Sequence, residues 1–170
     1  MTCCDVPKPA FASSMTHPLL RALRTKTPAL GVWLTMPSVH TARQIALAGR
    51  TSGLNWMCID CEHGLTALVP GVAETIAAVT ALPPPKLANL SNAENQNQNQ
   101  NYDQNPSVLV RVPAPGIQHA GPVVSHQIKQ ALDAGAHGVI VPMVANAEMA
   151  REVALDARFP PTGRWIRTEI

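Results

Sequence analysis

Four short apolar segments alternate along the chain with segments whose apolar residues recur at helical spacing. The apolar segments are residues 30–34, 55–60, 108–112 and 138–142, and the segments that follow them are 39–48, 67–82, 123–134 and 146–157. The apolar segments are too short for helices and do not alternate with polar residues, as is typical of parallel strands covered by helices. The strict alternation of strand and helix therefore predicts an α/β fold with a parallel sheet.

Helix-terminating and helix-starting residues support this pattern. Ser38 and Asn146 stand where N-caps are expected, and Gly49, Gly53 and Gly135 are expected to end helices. Two architectures fit four such units, a doubly wound open sheet and half of an eight-stranded barrel. Neither G-x-G-x-x-G nor G-x-x-x-x-G-K-[ST] follows any strand, so a nucleotide-binding open sheet has no phosphate loop to support it.

Two stretches interrupt the alternation. Repeated prolines predict an irregular N-terminal extension over residues 1–28. Residues 83–106 combine three consecutive prolines with an Asn/Gln tract, which predicts a disordered, low-complexity insertion at the surface. Because the alternation resumes afterwards, we interpret this second stretch as an insertion within one domain and not as a domain boundary.

Composition excludes several classes of protein. Hydrophobic residues make up 46% and charged residues 14%, which is typical of a folded globular chain. A formal net charge of +2 gives no reason to expect binding to nucleic acid or to an anionic membrane. No segment is long and apolar enough to cross a bilayer, so a cytoplasmic location is expected. A mitochondrial presequence is the alternative, because residues 1–28 are poor in acids and contain Arg21, Arg24 and Lys26.

Cys58 and Cys61 form a C-x-x-C motif, which is typical of zinc or redox sites. On a strand, however, residues three apart point to opposite faces, so one metal ion cannot bind both thiolates unless the strand ends between them. A zinc site also needs two further ligands, and adjacent Cys3 and Cys4 are poor candidates. We therefore interpret Cys58 and Cys61 as buried or incidental thiols.

Candidate site residues follow the second and third strands, where parallel α/β folds bind their ligands. Asp60, Glu62 and His63 end the second strand, and Arg111 lies among valines in the third. A histidine beside carboxylates is typical of a general base, and a buried arginine requires an anionic partner. The alternatives are a solvated loop histidine and a structural ion pair between Arg111 and Asp60 or Glu62. Asp133, by its position alone, is a solvated residue near the end of a helix.

Six segments in order resemble the HpcH/HpaI aldolase family over about residues 29–164. They are GVWL from Gly31, NWMCIDCEHG from Asn55, VRVP from Val110, IKQALDAGAHGVIVPM from Ile128, AEMAREV from Ala147 and RFPPTGR from Arg158. The resemblance implies a (β/α)8 TIM barrel, of which this chain has about the first four β/α units. It also implies a class II, divalent-metal (Mg, Mn or Co) aldolase, usually oligomeric, that cleaves 4-hydroxy-2-oxo acids to pyruvate and an aldehyde.

The resemblance also assigns roles to residues. His63 matches the catalytic base, Asp133 the carboxylate that hydrogen-bonds this base, and Arg111 the arginine that binds the 2-oxo oxygen and stabilises the enolate. The residues expected to support the site are Trp33, Asp60 and Glu62. The expected partners are a small 2-oxo acid and an aldehyde, with a second copy of the chain if it folds.

The pattern of the family stops after Arg164, which leaves residues 165–170 as an unmatched tail. Its metal-binding acids lie on later strands, so we expect no metal ligands in this chain, and Glu169 is not assigned as one. The leading hypothesis is an aldehyde-lyase impaired by truncation. The alternative is an inactive fragment that associates only with full-length barrels, and a third reading is an unrelated open-sheet binding module.

Overall fold

The structure is a computed structural model that describes residues 17–83, 105–114 and 122–164. The helices are α1 (Pro18–Thr25), α2 (Val39–Ser52), α3 (Ala73–Thr80), α4 (Pro122–Asp133) and α5 (Ala147–Asp156), and a single π-helical turn, Leu68–Val72, leads into α3. The strands are β1 (Gly31–Leu34), β2 (Trp56–Asp60), β3 (Ser107–Arg111) and β4 (Gly138–Ile140). None of the described helices is long and apolar enough to span a membrane.

The four strands form one parallel sheet in the order β1-β2-β3-β4. Because the order follows the sequence, every crossover proceeds in the same direction, and right-handed crossovers then place their helices on one face. A doubly wound sheet instead reverses its strand order and carries helices on both faces. The α/β prediction is confirmed, and the strand order favours part of a barrel over an open sheet.

One face of the sheet packs against the helices and forms the core. Alternate residues of each strand point to this face. The strand residues are Val32, Leu34, Met57, Ile59, Val108, Val110 and Val139, and the helix residues they meet are Ala42, Ala46, Ile76, Val79 and Ala131. Small alanines on α2 and α4 let these helices approach the branched side chains of the strands closely.

The opposite face carries the polar and aromatic residues. The strand register aligns Trp33 with Cys58 and Leu109, and aligns Asp60 with Arg111 and Ile140. In a parallel sheet aligned neighbours point to the same side, so these residues share the face that would line a barrel interior.

The N-terminal extension is more ordered than the sequence predicts. Residues 1–16 lie outside the described part, but Pro18–Thr25 forms α1 instead of irregular chain. Pro18 occupies the first turn, where a missing N–H costs nothing, and His17 caps the helix by accepting from Leu20 N. Ala22 on α1 is 2% exposed, so this helix packs onto the fold.

The boundary of α2 also differs from its prediction. Gly49 was expected to help end the helix but is buried inside it. Its missing side chain has a packing role instead, because a Cβ there would meet the Leu54 side chain at 3.0 Å. Gly53, at φ 74°, is the residue that ends the helix, as a left-handed C-cap.

The predicted insertion, residues 83–106, lies mostly outside the described residues, and so does the tail at 165–170. The residues at the two ends of the insertion are held in the fold. Arg50, a buried residue of α2, donates from Nε to Asn105 Oδ1 (2.9 Å) and from Nη2 to Pro83 O (2.7 Å). Pro106 is fully buried, so residues 105 and 106 belong to the folded domain and not to the insertion.

Candidate active site

An ion pair joins the ends of β2 and β3 on the polar face of the sheet. Arg111 donates from Nε to Asp60 Oδ1 (2.9 Å) and from Nη2 to Oδ2 (2.6 Å). Asp60 is 2% exposed, so the carboxylate requires this two-point contact to compensate its lost hydration. The structural ion pair that the sequence left as an alternative is therefore formed.

The loop after β2 brings Glu62 and His63 to the same ion pair. Glu62 Oε2 lies 3.2 Å from Arg111 Nη1 and 3.6 Å from His63 Nε2. Asp60 Oδ1 also accepts from the backbone N–H groups of both Glu62 and His63, at 3.0 and 3.1 Å. Asp60 thus orients Arg111 and the loop together, while the His63 side chain stays 73% exposed.

Gly64 allows the loop to turn this tightly. A Cβ at this position would overlap the Asp60 carbonyl oxygen and would press on the Thr35 backbone, to which Leu65 N donates (2.8 Å). The sequence reasoning missed this residue, and the only signal for it is the His-Gly step directly after the acidic strand end.

Trp33, on β1, supports the guanidinium from across β2. Its ring centroid lies 4.6 Å from Arg111 Cζ, within the range of a cation–π contact. Trp33 in turn meets Trp56 edge to face, with centroids 6.1 Å apart. Arg111 is therefore held on one side by an aromatic face and at its donors by two carboxylates.

Asp60 and Arg111 both stay charged across ordinary pH. The hydrogen bonds from Arg111 lower the pKa of Asp60 to about 2, and this effect exceeds the opposing effect of burial. The same contacts raise the pKa of Arg111. The Arg111 side chain is 22% exposed, so it is only partly covered by its partners.

Asp133 is not brought together with His63. It is the last residue of α4, and the chain then turns into β4, where His137 N donates to Val108 O near the start of β3. Helices in such units run opposite to the strands, so Asp133 lies at the N-terminal edge of the sheet and His63 at the C-terminal edge.

The described residues do not fit a divalent metal ion. They contain no group of three or more His, Cys, Asp or Glu side chains that could hold one, and Asp60 and Glu62 face Arg111 instead. Burial raises the pKa of Cys58 to about 12 and that of Cys61 to about 11. These free cysteines are neutral thiols, which are poor ligands for zinc.

Comparison with known proteins identifies relatives of this chain. No family model matches the chain. It is 34% identical over 142 residues to a 4-hydroxy-2-oxovalerate aldolase of Novosphingobium aromaticivorans, covering 84% of this chain and 41% of the relative. It is 30% identical over 149 residues to a 4-hydroxy-2-oxo-heptane-1,7-dioate aldolase of Shigella boydii, covering 88% and 44%.

Solved structures give the same result. An HpcH/HpaI aldolase/citrate lyase family protein of Burkholderia cenocepacia is 27% identical with a TM-score of 0.61, covering 91% of this chain and 49% of that one. The resemblance to HpcH/HpaI aldolases is confirmed. An HpcH/HpaI aldolase of Desulfitobacterium hafniense, 23% identical with a TM-score of 0.58, shares the fold over 87% of this chain and 44% of its own.

The chain spans less than half the length of the two curated aldolases named above. The four-stranded sheet accordingly matches part of a TIM-barrel-like fold, as the sequence predicts.

Proposed function

We propose that the C-terminal edge of the sheet is the substrate side of an aldehyde-lyase site, which cleaves a 4-hydroxy-2-oxo acid to pyruvate and an aldehyde. The observation that carries this proposal is the position of Arg111, held by Asp60, Glu62 and Trp33 with His63 beside it. The names of the similar aldolases supply the substrate class.

Arg111 has the chemistry that this reaction needs. Breaking the C3–C4 bond leaves an enolate whose negative charge rests on the 2-oxo oxygen, and a preplaced cation lowers that barrier. Two-point hydrogen bonding to Asp60 and the contact with Trp33 fix the guanidinium plane before substrate arrives. A guanidinium has five N–H donors, and the contacts with Asp60 and Glu62 use three of them, so two can donate to the 2-oxo oxygen.

His63 is proposed to take the proton of the 4-hydroxyl group. Its exposed ring can reach a bound substrate, and Glu62 lies 3.6 Å from Nε2. A base at this place would let the C4 hydroxyl become the carbonyl of the leaving aldehyde as the bond breaks. The role predicted for Asp133 gains no support from this geometry, so the proposal rests on His63 and Arg111.

Metal dependence is typical of class II aldolases, but the described residues do not fit a divalent ion, and no step is assigned to one here. Dependence on Mg, Mn or Co, and assembly with a second copy, stay predictions. A cytoplasmic location stays part of the proposal, while the bacterial relatives give no support to the mitochondrial alternative.

A second candidate is an inactive chain that associates with complete barrels. It is favoured by the open sheet edges, because within the described residues β1 and β4 each pair with a strand on one side only. Unpaired strand edges are sites of association with other chains.

The test is pyruvate release from a short 4-hydroxy-2-oxo acid, followed with lactate dehydrogenase and NADH, with Mg²⁺, Mn²⁺ or Co²⁺ and an EDTA control. His63→Ala and Arg111→Lys are expected to lower turnover by about 10²-fold or more. The matched control is His40→Ala, because His40 is an exposed histidine on α2 with no role in the proposed reaction. Equal turnover in all four proteins would refute these roles, and no turnover from folded wild-type chain would favour the second candidate.

A further inference from the structure

A pair of histidines fastens α1 to the N-terminal edge of the sheet, the edge opposite the candidate active site. His17, the N-cap of α1, has Nδ1 2.7 Å from the Oγ of Ser107, the first residue of β3. Ser107 Oγ accepts from Leu19 N at 3.0 Å, while His17 Nδ1 accepts from Leu20 N. The Ser107 hydroxyl proton is therefore free to point at His17 Nδ1. Ser107 then joins β3 to α1 at two points, the Leu19 N–H group and the His17 ring.

His137 makes the second half of this contact. Its Nδ1 accepts from Val108 N at 3.0 Å, while its own N–H donates to Val108 O at 2.8 Å. The rings of His17 and His137 lie 4.9 Å apart, centroid to centroid. The two imidazoles thus lie between α1, the start of β3 and the start of β4.

Each ring loses a contact when it is protonated. In each, Nδ1 faces a backbone N–H donor, Leu20 N for His17 and Val108 N for His137, and a protonated Nδ1 cannot accept there. Of the contacts at Nδ1, only the one between His17 and Ser107 Oγ can persist, with the ring as donor. Partial burial, helped by His137 and Arg24, lowers the pKa of His17. Partial burial also lowers the pKa of His137, against an opposing effect of Val108. From β3 the pair meets only Ser107 and the Val108 backbone, which carry no charge.

We propose that this histidine pair is a pH-sensitive latch that docks α1 on the sheet when neutral and releases it when protonated. The geometry requires this direction. Protonation turns an acceptor toward Leu20 N or Val108 N into a donor and places two like charges 4.9 Å apart. The latch is separate from the proposed aldolase activity, because it lies at the edge of the sheet opposite Arg111 and His63.

The sign of the pH dependence follows from the lowered pKa values. At mildly acidic pH the chain with α1 docked binds fewer protons than the chain with α1 released. Docking of α1 is therefore complete above the ordinary histidine pKa of 6.5. Docking weakens as the pH falls below that value. The hydrogen bonds of the two histidines are with α1 and β3 and not with β2, so α1 is expected to open while β2 stays protected.

Hydrogen–deuterium exchange of the full chain tests the latch, with rates corrected for the intrinsic effect of pH. Between about pH 7.5 and about pH 5, peptides over α1 are expected to exchange about tenfold faster while the β2 peptide is unchanged. His137→Asn keeps an acceptor for Val108 N but does not titrate, so it is expected to reduce the acceleration. His17→Asn can still cap α1, and the double variant is expected to abolish the acceleration.

The matched control is His126→Asn, an exposed histidine on α4, which is expected to behave as wild type. The proposal is overturned by α1 exchange in wild type that does not respond to pH, or by acceleration that persists in His137→Asn and in the double variant. If the double variant fails to fold, the single variant His137→Asn decides alone. Simultaneous loss of protection in α1 and β2 also overturns it, because opening is then global.

Discussion

Replacing Asp60 by asparagine is expected to destabilise the folded chain by about 2 kcal/mol. Asparagine has nearly the shape of aspartate and keeps an oxygen that can accept from the Glu62 and His63 backbone N–H groups. The change therefore removes the charge that holds Arg111 and leaves the loop geometry available. Loss of stability then measures the ion pair itself.

The magnitude comes from the proton affinity of the carboxyl group. The pKa of Asp60 falls from 3.8 to about 2 on folding, and one pKa unit corresponds to about 1.4 kcal/mol. Breaking a fully buried pair usually costs about 3–5 kcal/mol. The cost is lower here because Glu62 Oε2 remains 3.2 Å from the guanidinium, which is itself 22% exposed.

A double-mutant cycle separates this pair energy from other effects of substitution. Wild type, Asp60→Asn, Arg111→Met and the double variant are unfolded in urea at neutral pH, and the coupling energy is taken from the four unfolding free energies. We expect a coupling of about 2 kcal/mol. A coupling below about 0.5 kcal/mol would refute the reasoning, because the two side chains would then contribute independently.

Acid adds a second check on the same pair. A carboxyl group whose pKa is lowered by folding stabilises the folded chain above its unfolded pKa of 3.8, and this stabilisation is lost as the pH falls toward about 2. The difference in urea midpoint between wild type and Asp60→Asn is therefore expected to be constant above about pH 5 and to shrink below about pH 4. A difference that grows on acidification would contradict the assignment.

Three further substitutions have expected effects in the same urea assay. Arg50→Ala removes the bonds to Pro83 O and Asn105 Oδ1 and is expected to cost about 2 kcal/mol. Lys129 is 4% exposed, and Lys129→Met keeps its apolar stem but removes the hydrogen bond from Nζ to Arg158 O. This loss is expected to cost about 1 kcal/mol of stability. Asn146→Ala removes the N-cap of α5 for about 1 kcal/mol. An unchanged midpoint in any of them would show that the corresponding contact does not stabilise the chain in solution.

The elements of the fold were predictable because their signals are local. Ser38 and Asn146 cap α2 and α5 as predicted, and Gly135, at φ 99°, follows α4 as expected. The failures have a common cause: a single residue type serves several purposes. Gly49 serves close packing inside α2 while Gly53 ends the helix, and Pro18 starts α1 instead of breaking it.

The site was predictable only where neighbours in sequence became neighbours in space. Asp60, Glu62 and His63 follow one strand, and the parallel register brings the end of β3, Arg111, beside them. Trp33 reaches Arg111 across β2, and such a contact depends on a register that periodicity does not specify. For Asp133 only the direction of α4 decides which edge of the sheet the side chain reaches, and a family motif carries no information on that.

Arg50 also determines how freely the chain between residues 83 and 105 can change its length. The Arg50 guanidinium binds both Pro83 O and Asn105 Oδ1, so these two positions stay fixed whatever the length of the chain between them. If the joining segment behaves as a flexible loop, doubling its length costs only about 0.6 kcal/mol. Expansion or contraction of the repeat in the gene would then hardly change the free energy of unfolding. The same position is a convenient place to insert a purification tag or a fluorescent reporter.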